Sequence, residues 1–507
     1  MRFSRKEIPA FAGMAVLFVF ADNTKFDGIR KYKKPPFRRK PESLSPQNGG
    51  GRCAEWRGRG RDIIAGCADG GFSAVINRLD AGADGFAAAL ARLRRIPEAD
   101  DIQDAVAAII RRVCDDGDAA LLEFGAKFDD FHPQTAADLH ISPRTMAAAR
   151  ETIPAPVLSA LRDAAARVRE YHRRQKPRSW RRADARGNVV GERFAPVSRA
   201  AVYAPGGRAA YPSSVLMGVI PAKIAGVAEV LLMTPAAGGA VSPLTLAAAA
   251  EAGADGVLLC GGAQAIAAAA LGTESVRRAD VVAGPGNAFV AEAKRQLCGR
   301  IGVDSLAGPS EVLIVSDSSA PSEWVAADVV AQAEHDSLAQ SIVVSPDRRH
   351  LDEVAAALAK QISAQPRAAT IAESLANRGA LIFAADLDGC IRIADEIAAE
   401  HVQIMCADAE TVAARVRTAG GIFVGAHSPT VLGDYGAGPN HILPTGGTAR
   451  FASPLSTVHF MKRTGILRAD PEGASVLAET AAILAEAEGL FAHATAARLR
   501  LRQKSAP

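Results

Sequence analysis

The sequence of 507 residues is poor in several features on which common function classes depend. Aromatic residues make up only 5%, too few for the stacking platforms that bind single-stranded nucleic acids. The seven cysteines are an odd number and form no Cys-x-x-Cys pair, which argues against a disulfide framework and an all-cysteine zinc site. The apolar run at 10–21 is too short to cross a membrane. We therefore expect neither a nucleic-acid partner nor a membrane partner.

The overall composition is that of an ordinary globular protein, but the N-terminal segment is unusually basic. Hydrophobic residues are 49% and charged residues 22%, and the length predicts several domains. Residues 1–70 hold 15 of the 59 basic but 7 of the 55 acidic residues, which leaves 44 basic and 48 acidic residues elsewhere. We predict that residues 1–72 are a disordered basic extension of a mildly acidic folded body. The basic, then apolar, start is compatible with a signal peptide, but no small-x-small cleavage site follows, and a cytoplasmic location is predicted.

From residue 199 onward, short apolar stretches alternate with alanine-rich segments. The apolar stretches predict strands that begin at residues 199, 229, 256, 280, 311, 340, 380, 401 and 421. This alternation is typical of α/β folds with mainly parallel strands, and we predict two such sheets in sequence. Ligands in these folds bind beyond the carboxyl ends of the strands, where this chain has loops rich in glycine and proline. None of these loops reads Gly-x-Gly-x-x-Gly, so a dinucleotide would bind without the usual Rossmann fingerprint.

Two polar pairs stand at the ends of predicted helices. Gln332 and His335 are three residues apart and share a helix face, as two metal ligands would. The motif alone favours the simpler interpretation, a polar helix end with His335 near the negative end of the dipole. Glu400 and His401 stand at a helix-to-strand junction and offer two bases of different pKa for acid–base chemistry. Adjacent polar residues at a junction are also common, so neither pair decides the function alone.

Two further pairs lie nearer the carboxyl terminus. Asp434 and His441 lie on a predicted glycine-rich loop that would let a ligand approach the backbone, although the motif alone favours an ordinary loop in which the aspartate caps a turn. Glu488 and His493 are five residues apart, which places them about 140° apart around a straight helix. That pair is therefore weak evidence for a shared site.

A mixed nitrogen and oxygen ligand set can be drawn from these candidates. A single carboxylate would leave zinc strongly Lewis acidic, as in catalytic rather than structural sites. The set consists of Gln332, His335, Asp434 and His493. Their spacing alone does not show that they converge.

The order of the motifs resembles the histidinol dehydrogenase family from about residue 75 to about residue 503. The matching stretches read YAPGG, YPSSVLM, GGAQAIAA, GPGNAFVAEAK, AGPSEVLI, QAEHD, EHVQI and GDYGAGPNHILPT, followed by the C-terminal Glu and His. Ala399 stands where the family often has proline, which we expect to be harmless. The resemblance implies a zinc- and NAD-dependent oxidation of L-histidinol, through L-histidinaldehyde, to L-histidine, the last two steps of histidine biosynthesis.

The resemblance also implies a role for each candidate residue. The catalytic bases would be Glu400 and His401. The zinc ligands would be Gln332, His335, Asp434 and His493. The substrate-binding residues would be Ser310, Gln332, His335, His401, Asp434, His441, Glu488 and His493. NAD would contact Tyr203, Gln264 and Asn287.

The family fold implies a homodimer of four-domain chains with an exchanged C-terminal domain, so that Glu488 and His493 would serve the partner's site. A small helical domain would span 73–99. A first Rossmann-like domain at 100–202 and 312–455 would carry most zinc and catalytic residues. A second Rossmann-like domain at 203–311 would bind NAD, and a helical domain would span 456–507.

Three other functions compete with this interpretation. The nearest is a paralogous dehydrogenase for another polar alcohol such as a sulfonated diol, against which the carboxylate of Glu488 argues, since it would repel a sulfonate. A zinc hydrolase that uses Glu400 to activate water, and a non-catalytic metal-binding scaffold, belong to other classes. A thioester route would need Cys406, which ends an apolar strand and is interpreted as a core residue.

Overall fold

The computed structural model describes residues 76–95, 102–206 and 210–501. Within these ranges, two six-stranded sheets are flanked by helices, and a three-stranded sheet joins distant parts of the chain. The predicted extension at 1–72 lies outside the described residues. None of the helices in these ranges has the length and apolarity that crossing a bilayer requires.

The first sheet contains six parallel strands in the order β1-β12-β11-β10-β13-β14. These are β1 (Asn77–Asp80), β10 (Glu311–Ser316), β11 (Gln340–Ser345), β12 (Ala380–Phe383), β13 (His401–Met405) and β14 (Gly421–Val424). Strands β10, β11 and β13 are buried along their whole length, as parallel strands with both faces covered must be.

The second sheet has the order β2-β7-β6-β5-β8-β9, and all its pairs are parallel except β2 with β7. Its strands are β2 (His140–Ile141), β5 (Arg199–Tyr203), β6 (Glu229–Thr234), β7 (Gly256–Leu259), β8 (Val281–Ala283) and β9 (Gly302–Val303). The small antiparallel sheet contains β3 (Trp180–Ala183), β4 (Val189–Pro196) and β15 (Met461–Arg468), with β4 in the centre.

The helices divide between the two large sheets. With the first sheet lie α1 (Phe86–Arg94), α9 (Ser322–Ala333), α10 (Arg348–Ile362), α11 (Ala368–Arg378), α12 (Leu387–Ile397), α13 (Ala409–Ala413) and α14 (Thr430–Tyr435). With the second lie α2 (Ile102–Phe128), α3 (Pro143–Ala149), α4 (Ala155–Gln175), α5 (Pro212–Ala225), α6 (Pro243–Ala252), α7 (Gly262–Leu271) and α8 (Ala288–Leu297). The chain continues into α15 (Pro471–Ala487) and α16 (Phe491–Arg498), which pack against each other.

The predicted α/β class and the mainly parallel sheets are confirmed, and a strand occurs at each of the nine predicted places. The implied domain boundaries differ from the observed sheets. Helices α2 and α4, within 100–202, pack against α7 and α5 of the second sheet, and β5 is an inner strand of that sheet. Helical periodicity shows that a face of a helix is apolar but not which sheet covers it, so the sequence pattern itself does not determine which sheet these helices join.

The two terminal segments are not purely helical, contrary to the expectation for 73–99 and 456–507. Residues 77–80 form the edge strand β1 of the first sheet, paired with β12. Residues 461–468 form β15, which pairs with β4 along its whole length. Both strands are only partly buried and lack a continuous apolar run, which explains why the sequence pattern did not reveal them.

Candidate active site

The predicted catalytic residues gather at the amino ends of strands in the first sheet. Glu400 immediately precedes β13, His401 begins it, and Ser310 immediately precedes the neighbouring strand β10. The second sheet also contributes to this group of residues. Helix α5 follows the carboxyl end of β5, and Ser214 in its first turn lies 3.3 Å from His441. The candidate residues of the first sheet therefore lie at the amino ends of its strands and not beyond their carboxyl ends.

Glu400 is a buried carboxylate with two hydrogen bonds to one oxygen. The Ser310 hydroxyl donates to Glu400 Oε2 at 2.6 Å, and the backbone N–H of Glu311 donates to the same atom at 2.9 Å. Burial raises the pKa of Glu400, although the neighbouring His401 and the two hydrogen bonds oppose that rise. A buried carboxylate held in one orientation with a raised pKa is suited to accept a proton.

His401 is a buried imidazole whose two nitrogens have different surroundings. Nδ1 lies 2.8 Å from the backbone carbonyl of Glu311, and since a carbonyl only accepts, Nδ1 carries the proton. Nε2 has no hydrogen-bond partner among the described residues and lies 3.7 Å from Asp434 Oδ1. Although burial favours the neutral ring, the carboxylates of Glu400 and Asp434 raise the pKa of His401 to about 9. The ring is therefore mostly protonated near neutral pH, and Nε2 can take a proton only in the neutral form, which predominates above about pH 9.

Asp434 lies among histidines near the end of α14. Burial favours its neutral form, but His401, His441 and His335 hold the pKa of Asp434 below its ordinary value. His441 Nδ1 donates to the Asp434 backbone carbonyl at 3.0 Å. Burial lowers the pKa of His441, so its Nε2 accepts from the hydroxyl of Ser214 at 3.3 Å. His441 thereby joins α5 of the second sheet to α14, which carries Asp434, so the prediction that Asp434 lies on a loop is wrong.

Gln332 and His335 lie at the carboxyl end of α9, which packs against α14. Gln332 is 4% exposed, and its Nε2 has no hydrogen-bond partner among the described residues. His335 is exposed, and its charge contributes to the lowered pKa of Asp434. An amide oxygen, an imidazole and a carboxylate match part of a nitrogen and oxygen metal-ligand set, in which Gln332 would bind through Oε1 and not through Nε2.

Glu488 and His493 are not part of this cluster in the single chain. Both are exposed, one at the end of α15 and the other in α16. No three His, Cys, Asp or Glu side chains in the described ranges lie close enough together to hold a metal ion, so His493 does not complete the predicted zinc set within one chain. The same helices expose several large apolar side chains, namely Val476, Leu477, Ile483, Leu484, Leu490, Phe491 and Leu499.

The three predicted NAD contacts lie at the carboxyl ends of strands in the second sheet. Tyr203 ends β5, and its hydroxyl accepts from the Gly262 N–H at 3.2 Å. Burial raises the pKa of Tyr203 to about 12, so the hydroxyl stays protonated. Gln264 is buried in the first turn of α7, and Asn287 caps α8 by accepting from the Val290 N–H at 3.1 Å. The N-termini of α7 and α8 therefore lie at this edge of the second sheet, an arrangement that often binds anions in α/β folds.

Sequence reasoning missed Glu311, which is 3% exposed at the start of β10. Its backbone N–H and carbonyl hold Glu400 and His401, respectively. Its carboxylate accepts from the Gly446 N–H at 3.2 Å and lies 3.8 Å from a guanidinium nitrogen of Arg378. Burial and the adjacent Glu400 raise the pKa of Glu311 to about 7. The only signal in the sequence was a carboxylate at the start of an otherwise apolar strand.

Cys406 lacks the environment of a nucleophile. It is buried, and its Sγ lies 3.6 Å from the backbone carbonyl of Val315. Burial raises the pKa of Cys406 to about 12, whereas a reactive cysteine needs a lowered pKa. The interpretation of Cys406 as a core residue is therefore supported.

Comparison with known proteins places these residues in one family. A sequence model of histidinol dehydrogenase matches residues 93–501. The chain belongs to the histidinol dehydrogenase family. Relatives named histidinol dehydrogenase from Aromatoleum aromaticum and Bordetella parapertussis are 48% and 47% identical, over 85% of this chain and 99% and 98% of theirs. The crystal structure of histidinol dehydrogenase from Elizabethkingia anophelis superposes with a TM-score of 0.79 at 30% identity, over 84% of this chain and 98% of that one.

Membership of this family makes the chain an enzyme, an NAD-dependent oxidoreductase. It also confirms the histidinol dehydrogenase fold expected from the motifs. The matched span begins at residue 93, so the family assignment does not depend on the N-terminal segment.

Proposed function

We propose that this enzyme oxidises L-histidinol through L-histidinaldehyde to L-histidine, the last two steps of histidine biosynthesis, in the cytoplasm. The observation that carries the proposal is the pair of unlike buried bases, Glu400 and His401, held by one residue, Glu311, at the edge where the two sheets meet. A four-electron oxidation needs one base for the hydroxyl proton of the alcohol and one for the water that adds to the aldehyde. The names of the relatives supply the substrate.

His401 is proposed to take the hydroxyl proton of L-histidinol. Its Nδ1–H is fixed on the Glu311 carbonyl, so the ring cannot flip without losing that hydrogen bond. Nε2 is therefore presented to the side where Asp434 lies. Fixing the tautomer through the other nitrogen is how proteins commonly make one imidazole nitrogen a base.

Glu400 is proposed to activate the water that adds to L-histidinaldehyde. Its Oε2 is saturated by Ser310 and the Glu311 backbone, which leaves Oε1 for the water. The two bases are consecutive in the chain, and Glu400 Oε2 lies 3.6 Å from His401 Nδ1. The atoms proposed to take protons, Oε1 of Glu400 and Nε2 of His401, are not the atoms of this contact, so each base keeps its own atom for its own half-reaction.

Tyr203, Gln264 and Asn287 are proposed to bind NAD at the edge of the second sheet. When bound, NAD would accept one hydride in each half-reaction. The capped start of α8 would face the pyrophosphate, and buried Gln264 would be held in one orientation by its packing.

Gln332, His335 and Asp434 are proposed to hold zinc from one chain, with the partner's His493 as the fourth ligand. The donor set supports this assignment, since the amide oxygen of Gln332, the imidazole of His335 and the carboxylate of Asp434 form a mixed nitrogen and oxygen set. When bound, zinc would supply Lewis-acid binding of the amine and imidazole nitrogens of L-histidinol. Ser310, His441 and the partner's Glu488 would complete the substrate pocket.

A domain-exchanged homodimer is proposed because the site of one chain lacks His493 and Glu488. The apolar side chains exposed on α15 and α16 need a cover, and an exposed patch of this kind marks an interaction surface. Seating this pair of helices on the partner's first sheet would bury the patch and deliver both residues.

The stoichiometry of NADH formation tests the proposed reaction. We expect two NADH per L-histidinol consumed, no accumulated aldehyde, and loss of turnover on treatment with a zinc chelator. One NADH with released aldehyde would contradict the four-electron reaction. A hydrolase or a metal-binding scaffold would form no NADH, and a paralogous dehydrogenase would prefer another polar alcohol.

Substituting the two bases separately tests their roles. Glu400→Gln should impair the oxidation of supplied L-histidinaldehyde most, because glutamine cannot take a proton from water. His401→Asn should impair oxidation of the alcohol. Equal and mild effects of both variants on both substrates would contradict the assigned roles.

Mixing two inactive variants tests the exchange. His335→Ala and His493→Ala chains that exchange subunits should form mixed dimers in which one site carries both defects and the other none. Activity should return to about one wild-type site per mixed dimer. If mixed dimers are verified by mass but stay inactive, the proposal is contradicted. Either His493 then serves its own chain, or the two sites of a dimer do not work independently.

A further inference from the structure

Lys294 is a buried charge for which the proposed reaction has no use. It lies in α8 and is 1% exposed, and its partner Asp304 follows β9. The Lys294 Nζ and Asp304 Oδ1 atoms are 2.6 Å apart, with both side chains 2% exposed. A buried ion pair is weak evidence for stability, because the cost of removing both charges from water offsets their attraction. The role of the Lys294–Asp304 pair is therefore inferred from the hydrogen bonds that both side chains make to the backbone.

The two members of the pair hold the two backbone groups of one residue, Gly284. Lys294 Nζ donates to the carbonyl of Gly284 at 2.6 Å, and Asp304 Oδ2 accepts from the Gly284 N–H at 2.8 Å. Lys294 is seven residues after Asn287, two turns along α8, and side chains in a helix lean toward its N-terminus. The ammonium group thus reaches back to the loop from which its own helix begins.

The held loop, 284–287, cannot relax by shifting toward β5. Gly284 has φ +112°, and a Cβ there would lie 2.0 Å from the carbonyl oxygen of Tyr203. Gly286 is also tight, since a Cβ there would lie 2.4 Å from a methyl carbon of Val290. Close contact with β5 on one side and the ion pair on the other therefore fix the loop that ends at Asn287.

We propose that Lys294 and Asp304 are positioning residues that hold loop 284–287 in the conformation that binds NAD. This inference rests on the proposed function, which assigns NAD to Tyr203 and Asn287. Neither member of the pair touches the cofactor in this proposal. They act through Gly284, which sets the place of Asn287 and of the start of α8.

The test compares NAD binding, measured by titration calorimetry of the zinc-loaded enzyme, in three variants. Lys294→Met removes the donor to Gly284 and leaves Asp304 without its partner. The double variant Lys294→Met with Asp304→Asn has no buried charge, and its asparagine can still accept from the Gly284 N–H. Lys223→Met is the matched control, since it breaks the exposed pair with Asp255, 2.9 Å apart, at the far end of α5.

We expect Lys294→Met to lower the melting temperature and to weaken NAD binding about tenfold or more, the factor that a hydrogen bond from a charged donor contributes. The double variant should regain much of the melting temperature but keep the weak NAD binding. KM for NAD should rise in both, while KM for L-histidinol should not. Lys223→Met should bind NAD like the wild type.

Two results would overturn the inference. One is unchanged NAD affinity in Lys294→Met, and the other is recovery of affinity together with melting temperature in the double variant, which would make the pair merely structural. If the wild-type enzyme itself bound no NAD and formed no NADH, the proposed function would fail. The binding titration of the wild type distinguishes that failure from failure of the positioning role.

Discussion

Replacing Glu311 by glutamine should remove a pH-dependent loss of stability. Burial and the adjacent Glu400 raise the pKa of Glu311 from its ordinary 4.5 to about 7 in the folded chain. The native state therefore binds this proton more tightly than the unfolded chain does. The free energy of unfolding of the wild type must then fall as the pH rises from about 4.5 to about 7. The stability that comes from the raised pKa of Glu311 is fully present below pH 4.5 and is lost above about pH 7.

The magnitude follows from the displacement of the pKa. Since a tenfold change in proton affinity corresponds to about 1.4 kcal/mol, the change from 4.5 to about 7 amounts to about 3 kcal/mol. Glutamine cannot ionise and retains an oxygen to accept from the Gly446 N–H. The unfolding free energy of Glu311→Gln should therefore rise relative to the wild type by about 3 kcal/mol across this window. Glu311→Gln also removes the negative charge that faces Arg378. This loss changes the difference in unfolding free energy between the two proteins by the same amount at every pH, so it does not alter how that difference depends on pH.

Equilibrium unfolding in urea at a series of pH values would measure the difference. The fluorescence of Trp324, on α9 beside the same sheet, reports on this part of the molecule when the other two tryptophans are replaced by phenylalanine. Protein concentration must be constant, because association alters apparent stability.

A matched control is Glu396→Gln, which removes an exposed carboxylate of α12 that lies 3.2 Å from Arg94. An exposed pair contributes about 1 kcal/mol at most, so this variant should change stability little. Parallel curves of unfolding free energy against pH for the wild type and Glu311→Gln would refute the reasoning. They would mean that the Glu311 carboxyl keeps the same proton affinity on folding.

Three further outcomes are expected. Ser310→Ala removes the 2.6 Å donor to Glu400 and should slow oxidation of L-histidinaldehyde about tenfold or more, measured with the supplied aldehyde, because a charged hydrogen-bond acceptor loses a partner. Gly284→Ala should abolish NAD binding in a titration, since its Cβ would meet the backbone at the end of β5, whereas Gly299→Ala, also at positive φ but with open space around it, should bind NAD normally. Deletion of residues 1–70, which precede the span that the family model matches, should leave turnover and melting temperature nearly unchanged.

The inner strands could be predicted from the sequence because burial on both faces demands continuous apolar residues. The short, continuous apolar stretches at β6, β10 and β11 are typical of strands that are covered on both faces. The edge strands β1 and β15 are half-exposed and carry mixed residues, so their pattern resembled that of loops. The sheet that α2 and α4 join cannot be predicted from their sequence pattern either, since an apolar helix face fits either sheet.

The site residues could be named from motifs, but their arrangement could not. Glu400, His401, Asp434 and His441 converge because parallel strands and α14 bring them to one edge, which spacing along the chain does not encode. Glu311 was missed because its role is carried by its backbone groups, and every residue type has those. His493 stays apart in the single chain, and its part in the site remains a prediction.

The register between β10 and β13 decides whether the two bases can work at all. Val312 pairs with His401, so Glu311 stands opposite Glu400 one residue earlier, and its N–H and carbonyl reach the carboxylate and the imidazole. A slip by one residue would move His401 to the opposite face of its strand and break both contacts. On the other side of β13, a Cβ at Gly420 would lie 2.5 Å from the Glu400 carbonyl oxygen, so only glycine lets the chain pass there into β14. The bases thus depend on backbone fit on both sides of β13, and substitutions at Gly420 should impair catalysis although that residue has no side chain to take part in it.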